Sequence, residues 1–333
     1  MSVRDLRVHF PVRRSPREWL RRLPQRVVRA VDGIDLELGA GEIVALVGES
    51  GCGKTTTGRA LVRLAPISGG QILHQGRDVS SIRGRALADY RRQVQIVFQD
   101  PYESLDPRRT IGDQVLEPLV VQGAARGPQR EARVARALED AGLRPAADYL
   151  ERYPHELSGG QRQRVAIAVA MVLEPEVLVA DEPVSMLDVS LRSGILRVML
   201  ELRANRGISI LFITHDLSLA WLIADRVAVM YLGRIVESGD PDQVVHAPQH
   251  PYTKALIAAM PTPDRALRAR RQILAGETPD AARIPPGCRF HTRCPVAIAR
   301  CQTEDPLLRE LSPGHLAACL LLDGDPLDGT VPR

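Results

Sequence analysis

Between an apolar run and a helix-forming stretch stands Gly48-Glu49-Ser50-Gly51-Cys52-Gly53-Lys54-Thr55, the feature that most narrows what this chain can become. It has the form G-x-x-x-x-G-K-[ST], with EIVALV before it and a helix to about Leu64 after it, closed by Pro66. Glycines at these places let backbone N–H groups turn inward around a triphosphate, and the following helix adds its N-terminal dipole. Lys54 is placed to neutralise β- and γ-phosphate charge, and the Thr55 hydroxyl, with Thr56 beside it, to serve Mg²⁺ and phosphate. The chain has only two lysines, Lys54 and Lys254. A lysine at the motif position is therefore not an accident of composition. Cys52 reads as a small loop residue, not a nucleophile.

The surrounding pattern predicts an alternating α/β chain. IDLEL and EIVALV over 34–47 read as two strands about a turn, QILHQGRDV at 71–79 as a hairpin, and VQIVF at 94–98 as a strand. Residues 110–155 are helical in spacing, EARVARALEDAGL most clearly, with Gly142 as C-cap. A helix at Gly160–Leu173, a strand VLVAD at 177–181, a helix at 190–204 and a strand ISILFIT at 208–214 follow. This order builds a parallel sheet with crossover helices. From Pro261 the texture changes to proline, arginine and short apolar pieces, and four of the five cysteines lie there. The expected division is thus 1–260 and 261–333.

At 44% hydrophobic and 25% charged, the 333 residues have the makings of an ordinary packed core, which excludes intrinsic disorder, collagen-like repeats and a disulfide scaffold. The longest apolar run, Val165–Leu173, has nine residues, short of the roughly 18 that cross a bilayer. The N-terminal MSVRDLRVHF has no secretory stretch, so the expected compartment is the cytosol and work at a membrane would need partner subunits. Residues 1–30 carry nine arginines against Asp5 and Glu18, a charge of +7, while the other residues sum to −3. With few aromatics to stack on bases, this segment reads as a solvated loop near a membrane face and not a nucleic-acid arm.

Further along, VLVAD ends in Asp181 and Glu182. The first suits Mg²⁺ held through water, the second the polarisation of an attacking water. Buried strands often end in acids, and the pair gains weight only beside the phosphate loop. Directly before a helix stands Leu157-Ser158-Gly159-Gly160-Gln161. A serine N-cap and a Gly-Gly turn would account for the local structure, but not for its company. With these motifs the chain resembles the ATP-binding cassette (ABC) family, whose signature is LSGGQ. The resemblance implies ATP and Mg²⁺ as ligands and an α/β P-loop nucleotide-binding domain. Its expected parts are a RecA-like parallel core, an antiparallel β subdomain and a helical signature subdomain at about 100–172. It also implies a composite site, in which the ATP on one subunit's phosphate loop is closed by the partner's signature. Ser158 would donate to a γ-phosphate oxygen there, and the helix dipole would favour the anion. By the same resemblance Gln99 is the glutamine that senses Mg²⁺ and the attacking water, Asp188 the dimer-contact aspartate, and His215 the switch histidine. Met186 departs from the small residue usual before Leu187-Asp188. Phe10 is the candidate for stacking on adenine if residues 11–26 are an insertion, with Trp19 the second candidate.

The segments PYESLDPR at 101–108, RYPHELSGGQRQR at 152–164, ADEPVSMLDVS at 180–190 and HPYTKAL at 250–256 carry the resemblance further. Together they are similar to the ATPase subunits of dipeptide and oligopeptide importers, the F-type subunit in particular, from about Val3 to Cys319. The implied partners are a homologous ATPase subunit, two transmembrane permease subunits and a periplasmic or lipid-anchored solute-binding protein, with no nucleic acid. The implied location is the cytoplasmic face of the membrane. Related importers take nickel, glutathione or other small polar solutes, and the ATPase motifs do not see the cargo. A soluble, non-transport cassette protein is the reading from another class; a single cassette with no heptad run speaks against it. In the tail, Cys288, Cys294, Cys301 and Cys319 are spaced C-x5-C-x6-C-x17-C. A reducing compartment disfavours disulfides, and zinc sites usually show C-x2-C pairs. Four thiolates suit a [4Fe–4S] cluster, which some importer ATPases of this kind carry, with zinc the alternative. Its simplest role would be to clamp a poorly cored tail.

Overall fold

The computed structural model describes residues 1–12, 14, 25–260 and 278–322; Trp19 lies outside them. The strand before the phosphate loop, β3 (Ile43–Val47), has every residue buried, as expected of a parallel strand covered on both faces. It lies between β8 (Ser209–Thr214) and β9 (Arg226–Tyr231), parallel to both. Beyond β8 come β7 (Val177–Asp181) and then β6 (Val94–Val97), again parallel. Beyond β9 the pairing turns antiparallel through β10 (Arg234–Gly239), β12 (His315–Ala317) and β11 (Arg309–Ser312), which completes eight strands in one sheet. A second, antiparallel sheet of four has the order β2-β1-β4-β5, formed by Val27–Glu37, Ser2–Pro11, Gly69–His74 and Arg77–Asp78.

Crossover helices do what the alternation predicts. Helix α1 (Lys54–Leu61) leaves the phosphate loop, α2 (Gly84–Gln93) leads into β6, and α8 (Val189–Arg206) joins β7 to β8. Between β6 and β7 sits a helical layer of α3 (Pro101–Ser104), α4 (Ile111–Val121), α5 (Pro128–Asp140), α6 (Ala147–Leu150) and α7 (Gly159–Met171). Its core interleaves Leu119, Leu138, Val165 and Ile167, all fully buried. Local signals set the boundaries. The Thr110 hydroxyl accepts from the Asp113 N–H at 3.2 Å, Pro128 opens α5, and Gly142 just beyond that helix takes φ 78°. Farther on are α9 (Leu217–Ile223), α10 (Pro241–His246) and α11 (Pro251–Ala259). No helix among the described residues is long and apolar enough to cross a membrane.

Within the described part of the N-terminal segment the expectation of a solvated loop is corrected; residues 13 and 15–24 lie outside the described residues. Residues 2–11 form β1 and pair with β2 along most of their length. Val3, Leu6 and Val8 face inward while Arg4 and Arg7 stay on the wet side, so the arginine count conceals an amphipathic strand.

Within the tail, β12 pairs with β10 (Glu237 opposite Ala317), so the described tail continues the sheet of the cassette. Glu237, completely buried, accepts from the backbone N–H groups of Gln249 (2.7 Å) and His250 (2.9 Å) and lies 2.8 Å from His315 Nε2. Burial pushes His250 down to about 3, which keeps its Nδ1 free to accept from the Tyr252 N–H at 3.0 Å. Phe290 plugs the tail onto the cassette, with its ring centroid 5.3 Å from that of Tyr231 and 5.5 Å from that of Tyr252.

Candidate active site

The loop from Gly48 to Gly53 can have no side chain at its tightest points. A Cβ at Gly53, where φ is 112°, would stand 2.1 Å from the Ala30 carbonyl oxygen, and one at Gly48 would stand 2.2 Å from that of Met230. Cys52 is buried against this loop, and burial pushes its thiol up, consistent with a space-filling residue. Lys54 is also buried, its Nζ donating to the carbonyls of Gly48 (2.7 Å) and Glu49 (3.0 Å). It therefore lies folded back on the loop. Around the loop opens a cleft of about 630 Å³ that Ser50, Gly51, Thr55 and Thr56 also line.

Of the two carboxylates that the sequence singled out, Glu182 lines the cleft and Asp181 lies buried beside Thr55. The Thr55 hydroxyl donates to Asp181 Oδ1 at 3.0 Å. Asp181 is almost fully buried; burial pushes its carboxyl up, and the Thr55 bond pulls it partly back. A carboxylate so placed wants a cation. Hydroxyl, carboxylate and the nearby Gln99 amide are hard oxygen donors of the kind Mg²⁺ takes, so the residues fit that ion. Glu182 occupies the left-handed region with φ 47°, unusual for a residue other than glycine. Its N–H is tied to the Ile213 carbonyl of β8 at 2.9 Å and its own carbonyl accepts from the Ser185 hydroxyl at 3.0 Å. Held this way, Glu182 Oε2 lies 3.0 Å from His215 Nδ1 and accepts from Gln99 Nε2 at 3.4 Å. Gln99, Glu182 and His215 all border the cleft with the phosphate loop, so the segments after β3, β6, β7 and β8 converge on one space.

Phe10 is not among the residues that line this cleft. It sits on β1 opposite Val28 and is 37% exposed, while Val28 itself faces the cleft. The apolar end is made by Val28, Ala30, Leu256 and Ala281, the last from the tail. Directly opposite residues of an antiparallel pair share a face of the ribbon, so Phe10 stands beside the apolar end of the cleft without lining it. Of these four apolar residues only Leu256 lies in a segment the sequence singled out, HPYTKAL, and folding alone brings them together.

The signature starts a helix. The Ser158 hydroxyl accepts from the Gln161 N–H at 3.3 Å, and the Gln161 side chain accepts from the Ser158 N–H at 2.9 Å, a complete capping box that starts α7. Leu157 is buried beneath it. Ser158, Gly160 and Gln161 line a separate depression with Arg144, Arg164 and Arg197 and have no place in the cleft of their own chain's phosphate loop. Asp188 is exposed at the start of α8, flanked by Met186 (60% exposed) and Val189 (79%).

The four tail cysteines come near one another without closing on a point. The Cys288 N–H donates to the Cys301 carbonyl at 2.9 Å. Burial pushes the Cys288 thiol up to about 11, and the other three thiols add like-charge repulsion. Cys294 is raised for the same reasons. Yet among the described residues no three His, Cys, Asp or Glu side chains are grouped to hold a metal ion. The four thiols therefore do not converge on one point, as a single zinc ion would require.

Comparison with known proteins agrees with this geometry. Residues 31–185 match the ABC transporter family and residues 236–301 the C-terminal region of oligopeptide/dipeptide transporters. A dipeptide transport ATP-binding protein, DppF of Escherichia coli, is 43% identical over 321 residues, which cover 96% of this chain and 94% of that protein. The oligopeptide transport ATP-binding protein AppF of Bacillus subtilis is 42% identical over 96% of this chain and 97% of its own length. Among solved structures, a dimeric post-hydrolysis ATP-binding cassette, MJ0796 with ADP and Pi, superposes with a TM-score of 0.62 at 25% identity, covering 72% of this chain and 99% of that one. A fold, a cleft and a set of motifs that agree from β1 to the cysteine tail leave one conclusion: the chain is an ATPase and belongs to the ATP-binding subunits of the ABC transporter family, among relatives such as DppF and AppF.

Proposed function

We propose that this chain powers the import of dipeptides or oligopeptides. What carries the reading is similarity over nearly the whole length, tail included, to proteins named for dipeptide and oligopeptide transport. Residues 1–260 form the ATP-hydrolysing unit and 261–333 its transporter-specific extension. The chain works at the cytoplasmic face of a membrane, with a homologous ATPase subunit, two permease subunits and a solute-binding protein. Its signature, which lies outside its own cleft, completes the partner's ATP site.

Hydrolysis follows from the groups in place. Glu182 takes the proton of the attacking water, and His215 holds that carboxylate beside the phosphate that the water attacks. Lys54 leaves the carbonyls of Gly48 and Glu49 to neutralise charge spreading over the phosphoryl oxygens. Mg²⁺, held by Thr55, Gln99 and Asp181, would supply the remaining charge neutralisation. Purified with its permease and ATPase partners in liposomes, the complex should raise its ATPase rate several-fold with short peptides. Stimulation by nickel or glutathione alone would place it with those importers instead.

For the tail we propose a [4Fe–4S] cluster. Four thiols near each other but not converging suit a cubane, in which each cysteine takes its own iron, better than a single ion. Iron content and visible absorption should then disappear together in Cys301→Ser. Iron-free protein with a colourless spectrum after anaerobic purification would end that assignment.

A further inference from the structure

Glu49 is an awkward residue to find inside a phosphate-binding loop. Among the described residues that line the cleft, Lys54 is the only fixed cation, while Glu49 and Glu182 are acids. An unmasked carboxylate there opposes a polyphosphate through a partly dehydrated medium, where Coulomb repulsion is weakly screened. The tail answers this charge. Arg293 Nη1 donates to Glu49 Oε2 at 2.8 Å and its Nη2 to Oε1 at 3.1 Å, a two-pronged pair. The Thr278 hydroxyl donates to the same Oε2 at 2.6 Å. Burial would push the Glu49 carboxyl up; the bonds from Arg293 and Thr278 outweigh it and hold it ionised, below its usual range.

The clasp is rigid on both sides. The Arg293 side chain is only 7% exposed and also donates to the Tyr231 hydroxyl at 3.5 Å. The Glu49 N–H donates to the Tyr252 hydroxyl at 2.8 Å and its carbonyl accepts from Lys54 Nζ. The carbonyl also accepts from the Cys52 N–H at 3.3 Å, so the backbone of this loop residue stays held when Lys54 turns away, and its side chain is held entirely by the tail. Arg289, on the other side of Phe290, makes a different contact: it donates to Asp32 Oδ2 and to the Leu232 carbonyl, both at 2.5 Å, and not to Glu49.

We infer that Arg293 is a positioning residue for ATP: by masking the Glu49 carboxylate and fixing it in place, it makes the C-terminal extension a determinant of nucleotide affinity. The inference rests on the ATPase assignment and adds a role for the tail within the nucleotide site.

The test uses the full chain assembled with its transporter subunits, measuring KM for MgATP and kcat. Arg293→Ala should raise KM at least about tenfold while kcat stays within about threefold, since a charge-assisted pair is lost beside the phosphates but no reacting group is removed. Arg293→Lys, which keeps the charge but not the fork, should fall between. Adding Glu49→Gln to Arg293→Ala should recover most of the affinity, because the carboxylate that needed masking is gone. Arg289→Ala should lower the thermal midpoint and leave KM alone. If Arg293→Ala fails to fold, Thr278→Val removes one bond to the same carboxylate and should raise KM about two- to threefold. An unchanged KM in Arg293→Ala (or in Thr278→Val, where that variant stands in), no rescue by Glu49→Gln, or an equal rise in Arg289→Ala would each reduce Arg293 to a staple and overturn the inference. Failure of the parent itself to bind MgATP would strike the ATPase assignment instead.

Discussion

Glu182→Gln should bind ATP and hold it, with turnover lowered by about 10²- to 10⁴-fold, the usual worth of a positioned general base. The substitution is close to isosteric, so the amide can still accept from Gln99, and the backbone ties to Ile213 and Ser185 remain. What disappears is the negative charge that draws a proton from water. Because Glu182 sits in a left-handed backbone conformation fixed by those ties, its carboxylate has little freedom to be replaced by a neighbour. Single-turnover hydrolysis, followed by recovery of intact nucleotide from the washed complex, measures both halves of the claim. Release of ADP at the parental rate would show that the base lies elsewhere.

A second large effect is expected at the signature, where stability and activity should part company. Gly159 opens α7 directly after the Ser158 cap, and a Cβ there meets nothing closer than 3.6 Å, from Leu187. Gly159→Asp therefore fits, and an acid in the first helical turn is favourable to the dipole by about 0.3–1 kcal/mol. The thermal midpoint should hold or rise slightly. A new negative charge at the surface meant for the partner's triphosphate should nonetheless cut ATPase by a hundredfold or more, while the isolated chain still binds ATP in a cleft that its own signature does not line. Parental turnover in this variant would refute a composite site.

Legibility in the sequence followed locality. Motifs made of neighbours in the chain, such as Gly48–Thr55, Asp181-Glu182 and Ser158–Gln161, were readable because spacing and residue type alone dictate their chemistry. So were β3, β6, β7 and β8, whose apolar runs have one plausible burial. Less accessible was what pairing across the chain decides. Arginines at positions 4 and 7 masked the inward Val3, Leu6 and Val8 of β1. Nor does composition show which side chains form the apolar end of the cleft, which Val28 lines and its cross-strand partner Phe10 does not. The approach of Arg293 to Glu49 spans 244 positions, and nothing near either residue announces it.

One consequence of the tail hairpin concerns solubility. Without β12, strand β10 would present unpaired amides beside Ile235 and Val236, a template on which a second molecule could assemble. The hairpin moves that border outward to β11, four residues long and wholly exposed, with Arg309 and Glu310 along it. A short, charged margin is a poor seed for aggregation. Trimming the protein back to a minimal cassette would therefore uncover an adhesive surface that the full-length chain keeps closed.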